Sequence, residues 1–85
     1  MKYRDKETAE VVTAVQYDGT SASVEQIMEM LEKTSGIMNT SDGYMLIDGI
    51  RIERSEFVVK DTSKFWDWLW ETEEEFIKDY EKLDQ

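Results

Sequence analysis

The chain has 85 residues, with 20 Asp and Glu against 10 Lys and Arg, a formal net charge of −10, and neither cysteine nor histidine. The missing cysteines exclude a disulfide framework and a thiolate zinc site, and the missing histidines remove the commonest general base and metal ligand. An apolar fraction of 40% beside 35% charged residues fits one globular domain, which at this size buries about 60–65% of its unfolded surface.

The charge also sorts partners. Phosphates repel so acidic a chain, so direct DNA or RNA binding is not expected. A basic protein partner is favoured, because long-range attraction raises encounter rates. Solubility alone also makes small proteins acidic, so charge does not decide the function. No apolar run approaches the roughly 20 residues of a membrane span. Lys2, Arg4 and Lys6 have no apolar stretch behind them, so no signal peptide is expected and the expected location is the cytoplasm.

In chain order, the β-branched stretch 10–17 predicts a first strand with Val11, Thr13, Val15 and Tyr17 on one face. Asp18-Gly19-Thr20 breaks it. Ser23 and Gln26 have the spacing of a capping box, and Val24, Ile27, Met28 and Leu31 then recur with helical period. Gly36 is placed to end that helix. The runs 37–40, 44–47, 50–53 and 57–60 predict a β-meander, with Asp42-Gly43 and Asp48-Gly49 as turn signals.

The segment 64–70 carries Phe65, Trp66, Trp68, Leu69 and Trp70. As a helix it would pair Phe65 with Trp68 and Leu69; as a strand it places the three tryptophans on one face, and the strand is preferred because Thr72 to Glu75 then forms a second capping box. The helix after it is predicted to turn Phe76, Ile77, Tyr80 and Leu83 inward, with Glu73, Glu74 and Glu75 complementing its dipole. The predicted fold is therefore α+β: one open antiparallel sheet of four to six short strands with two helices, all in one domain.

No motif names a reaction. Asp42 and Asp48 fall in turns, where Asp serves the backbone, and the glycines are isolated and form no phosphate loop. An enzyme is not expected, nor is a cofactor or a bound metal. The candidate partner-binding residues are Trp66, Trp68 and Trp70 as apolar anchors, with Glu71, Glu73, Glu74, Glu75 and Asp79 as charge. The same tryptophans could instead fill the core, and the glutamates could simply be a solvated helix start.

Lys2-Tyr3-Arg4 followed by Ala14-Val15-Gln16-Tyr17-Asp18-Gly19 resembles the start of a family of short phage and prophage proteins, roughly K-Y-R-K-K-P-V-V-V-E-A-x-Q-Y-x-G. The stretch from Glu56 to Asp61 is similar to that family's G-D-W-I-I-K-G segment, and Phe76 to Glu81 to its F-E-K-T-Y-E ending. Asp5 and Glu7 depart from its basic and proline positions, and about two residues are added before Val11. The resemblance implies a phage origin and carries over no catalytic residue.

With the charge, it leads to an expectation: an acidic inhibitor of a host nucleic-acid-handling or defence protein, of anti-CRISPR or anti-restriction type, that mimics DNA in a basic groove of a bacterial protein. The alternative is an accessory or structural phage protein acting by self-association, as a homodimer or in virion assembly.

Overall fold

The computed structural model describes residues 1–61 and 67–83. Its elements run β1 (Lys2–Asp5), β2 (Val11–Gln16), α1 (Ser21–Leu31), β3 (Ile37–Asn39), β4 (Tyr44–Ile47), β5 (Ile50–Glu53), β6 (Phe57–Lys60), β7 (Leu69–Glu71), α2 (Glu73–Asp79) and β8 (Tyr80–Lys82). The fold is α+β and its sheets are antiparallel. There are two of them: a five-stranded sheet in the order β7-β6-β2-β1-β8, and a three-stranded sheet β3-β4-β5.

The meander therefore divides. Strands β3 to β5 pair as expected, and the β4–β5 turn has φ of 51° at Asp48 and 84° at Gly49, the double left-handed backbone an Asp-Gly hairpin favours. The fourth run, β6, leaves this hairpin and pairs with β2, Val58 opposite Val15 and Val59 opposite Ala14. Ser55, at φ 75°, turns the chain away, and its N–H donates to the Tyr17 carbonyl at 2.7 Å.

Both faces of the large sheet are covered, and β6 shows why: adjacent Val58 and Val59 are each fully buried, on opposite faces. One face packs on α1 and the small sheet through Tyr17, Val24, Ile27, Met45, Ile47 and Ile52. The other packs on α2 and joins Tyr3, Val12, Ala14, Phe76 and Tyr80. The predicted facing of β2 is thus only half of the pattern. Val15 and Tyr17 point to the first core, whereas Val11 is exposed and its neighbours Val12 and Ala14 fill the second.

Three local expectations are corrected. The α1 cap is Thr20, whose hydroxyl accepts from the Ser23 N–H at 3.2 Å, while the Ser23 hydroxyl donates back to the Thr20 carbonyl at 2.8 Å. The helix stops at Glu32, a left-handed residue (φ 55°), and not at Gly36. Carbonyls of the last turn are then met by the Glu32 and Lys33 N–H groups, which bond Glu29 and Met28. Finally, α2 is short: Tyr80 is buried but begins β8, and Ile77 is 63% exposed.

Candidate functional site

Strand β7 lies at one edge of the large sheet, and among the described residues β6 is its partner, with Val59 opposite Leu69, Val58 opposite Trp70 and Phe57 opposite Glu71. Of the predicted strand over 64–70, residues 64–66 lie outside the described residues, residues 67 and 68 are not in a strand, and the strand from Leu69 runs on to Glu71. Trp66 lies outside the described residues. Trp68 is half-buried and packs on the first core, whereas Trp70 is 42% exposed. Their rings are 5.7 Å apart and tilted by 42°. Among the described residues an aromatic cluster fills the second core: Phe57 stacks on Phe76 at 3.9 Å, with Tyr3 and Tyr80 packed against Phe76 at 4.7 Å and 4.9 Å.

Trp70 borders two hollows of different chemistry. A groove of about 390 Å³ is lined by Ile50, Asp67, Trp68, Leu69 and Trp70. A hollow of about 400 Å³ beside α2 is lined by Trp70, Glu71, Glu75, Lys78 and Asp79. Ile50 belongs to β5, at an edge of the small sheet. Its part in the groove could not be read from the sequence, because it depends on how the two sheets pack.

The acidic candidates divide by role. Glu75 completes the capping box: its carboxylate accepts from the Thr72 N–H at 3.0 Å, and the Thr72 hydroxyl accepts from the Glu75 N–H at 3.2 Å. Glu73 accepts from the Gln16 side-chain amide at 2.7 Å and ties α2 to the end of β2. Glu71 is half-buried; Glu74 and Asp79 are exposed. Among the described residues, none of Glu73, Glu74, Glu75 and Asp79 forms an ion pair. Four of the chain's cations are taken up elsewhere, in Arg4–Glu81, Lys33–Asp48, Arg51–Glu53 and Lys60–Glu32 pairs. Among the described residues the carboxylates at this corner outnumber the cations: Lys78 lines the same hollow, and Lys6 shares an adjoining one with Glu71 and Asp79.

Beneath α2 is a second polar group of residues that the sequence did not reveal. Asp5 and Asp61 are buried, and the Tyr80 hydroxyl donates to Asp61 Oδ2 at 3.0 Å. Burial first, then the Asp61 hydrogen bond, then the charges of Asp61, Glu71 and Asp5 raise the Tyr80 phenol well above its ordinary value. Asp5 Oδ1 also accepts from the Glu7 and Thr8 N–H groups, shaping the β1–β2 turn. Among the described residues no three carboxylates are grouped so as to hold a metal ion, and no helix is long and apolar enough to cross a membrane.

No family model matches the chain, and no curated protein or solved structure is similar to it.

Proposed function

We propose that this chain is an acidic protein-binding domain that occupies the basic nucleic-acid groove of a host enzyme, an inhibitor of anti-CRISPR or anti-restriction type of phage origin. The observation that carries this reading is Trp70: a tryptophan 42% exposed at a sheet edge, beside a hollow that Glu75, Asp79 and Lys78 line, with Glu74 on the adjoining helix. Tryptophan is enriched where binding energy concentrates, and carboxylates around it select for Arg and Lys while discouraging acidic partners. The net charge of −10 supports the same partner class. Such a domain carries out no chemistry; it blocks access to the groove. The phage origin rests on the resemblance of the 2–19 and 76–81 segments.

A second reading, self-association in a phage assembly, draws support from exposed Met38, at the edge strand β3, and exposed Ile77. Salt separates the two readings. Capture of a basic partner weakens as salt rises, whereas apolar self-association does not. A tagged pull-down from bacterial lysate, eluted in salt steps and identified by mass spectrometry, tests the proposal. Release of a basic nucleic-acid enzyme at intermediate salt is the expected result; recovery of the chain alone counts against it.

A further inference from the structure

Among the described residues, the strands at sheet edges are β7, β8, β3 and β5. Edge strands commonly carry charge, which discourages pairing with another chain. Here β7 has Glu71, β8 has Glu81 and Lys82, and β5 has Arg51 and Glu53. Strand β3, Ile37-Met38-Asn39, has no charge. It lies within residues 34–41, the longest uncharged stretch of this acidic chain. Thr34, Ser35, Gly36, Met38 and Asn39 are exposed, and Ile37 is half-buried.

The backbone of this edge points outward in a defined register. The Asp48 N–H donates to the Gly36 carbonyl at 2.7 Å, and the Thr40 N–H to the Tyr44 carbonyl at 3.1 Å. Hydrogen-bonded pairs of an antiparallel ladder alternate with non-bonded ones. Met38 therefore bonds Leu46 opposite it, and the main-chain groups of Ile37 and Asn39 are directed away from β4. The Tyr17 hydroxyl donates to Asn39 Oδ1 at 2.7 Å and ties that end of the strand to the core. Met38, 59% exposed, stands beside Leu46 on the outer face of the small sheet.

We infer that a second copy of this chain adds to β3 across a two-fold axis, joining the two small sheets into one antiparallel sheet. Ile37 then exchanges main-chain hydrogen bonds with the partner's Asn39, and Asn39 with the partner's Ile37. Met38 meets the partner's Met38 on the axis, at a non-bonded position where Cα atoms approach to about 4.5 Å. The strand is its own complement: it is neutral, its outward donors and acceptors match in this register, and apolar meets apolar. A basic segment finds no carboxylate in β3 to pair with, whereas a second copy needs none. The contact goes beyond the basic-partner reading and does not rest on it. The groove beside Trp70 touches β5, at the opposite edge of the small sheet.

The test is the association state of the full chain by sedimentation equilibrium, at low and physiological salt. One short strand pair buries little area, so a dissociation constant on the order of 100 μM is expected, with protein measured up to about 1 mM. Salt should tighten the dimer, because it screens repulsion between copies that each carry −10. Met38→Lys, checked for an unchanged melt, should weaken it about tenfold or more by setting like charges face to face, although it lowers the net charge. The chain has no cysteine, so single-cysteine variants under mild oxidation read the register. Met38→Cys should form an intermolecular disulfide, since its Cα separation falls within bridging range. Ser35→Cys should not, because the antiparallel register sets the two copies of that position roughly 20 Å apart.

A monomer at every concentration and both salts overturns strand pairing and leaves the basic-partner reading standing. A dimer that Met38→Lys leaves intact, or that Ser35→Cys bridges as readily as Met38→Cys, lies elsewhere on the surface and overturns it as well.

Discussion

The Tyr80 hydroxyl donates to Asp61 Oδ2 at 3.0 Å in a site where the tyrosine is 3% exposed and the aspartate fully buried. This bond joins β8 to the end of β6 across the α2 face, close to the charges of Glu71 and Asp5. Removing the hydroxyl by Tyr80→Phe takes one donor from a buried carboxylate. Chemical denaturation at neutral pH should show a loss of about 1–3 kcal/mol.

The same bond gives a pH dependence with a definite sign. The folded Tyr80 phenol lies above its unfolded value, with burial as the main cause, and burial likewise raises Tyr3 and Tyr17. A raised folded value favours the protonated form in the native state. Its stabilising contribution is complete below the unfolded tyrosine value of about 10 and is lost as pH climbs from there toward the folded value. Melting temperature should therefore fall steeply above about pH 10, and the fall should be shallower in Tyr80→Phe.

The stacked pair Phe57 and Phe76, with ring planes 4° apart, anchors α2 to the sheet. Phe76→Ala should cost about 3–5 kcal/mol. A domain of this size has a total stability of roughly 4–13 kcal/mol, so this variant should be largely unfolded at modest urea. Ile77→Ser, next to it on the exposed face, should change stability by less than about 0.5 kcal/mol.

The second capping box fixes where charge can be changed without damage. Thr72→Ala should lower stability by about 1 kcal/mol, seen as a melting temperature about 4–8 °C lower. Glu75→Lys should cost a similar amount, because its carboxylate accepts from the Thr72 N–H. Charge reversal across all of Glu73 to Glu75 is therefore not neutral for folding, contrary to what a solvated helix start would allow. Glu74 and Asp79, which are exposed, are the positions at which binding can be probed apart from stability.

The tryptophans should report separately. Acrylamide should quench the emission component removed by Trp70→Phe more strongly than the component removed by Trp68→Phe. The first ring is 42% exposed and the second is packed on the core.

Period and turn chemistry made much of this fold legible. The β-branched run of β2, the apolar face of α1, the Asp48-Gly49 hairpin and the Thr72–Glu75 box are all local signals, and each forms where its residues point. Strand β1 was not legible as a strand. Lys2-Tyr3-Arg4-Asp5 is short and largely charged, yet it pairs on both sides, with Tyr3 and Asp5 turned inward. Nor could local pattern send Phe57–Lys60 to β2 rather than β5, since antiparallel partners are chosen by tertiary packing. At the candidate site, charge and aromatic content are legible in the sequence. The capping role of Glu75 is in the local Thr72–Glu75 spacing, whereas the bond of Glu73 to Gln16, and which tryptophan faces solvent, follow from contacts with β2 and the first core that are not encoded locally.

The central claim is that an exposed Trp70 and its surrounding carboxylates hold a basic nucleic-acid-handling partner. The most direct measurement compares the wild-type chain with a Trp70→Ala, Glu74→Lys, Asp79→Lys variant. Both are used to capture proteins from nuclease-treated bacterial lysate, with salt-step elution and mass spectrometry, after melts confirm that both are folded. The account predicts that the wild type retains a basic nucleic-acid enzyme, that intermediate salt releases it, and that the variant loses it. Retention of the same enzyme by the variant at physiological salt, or capture by the wild type of nothing but itself, would contradict the account.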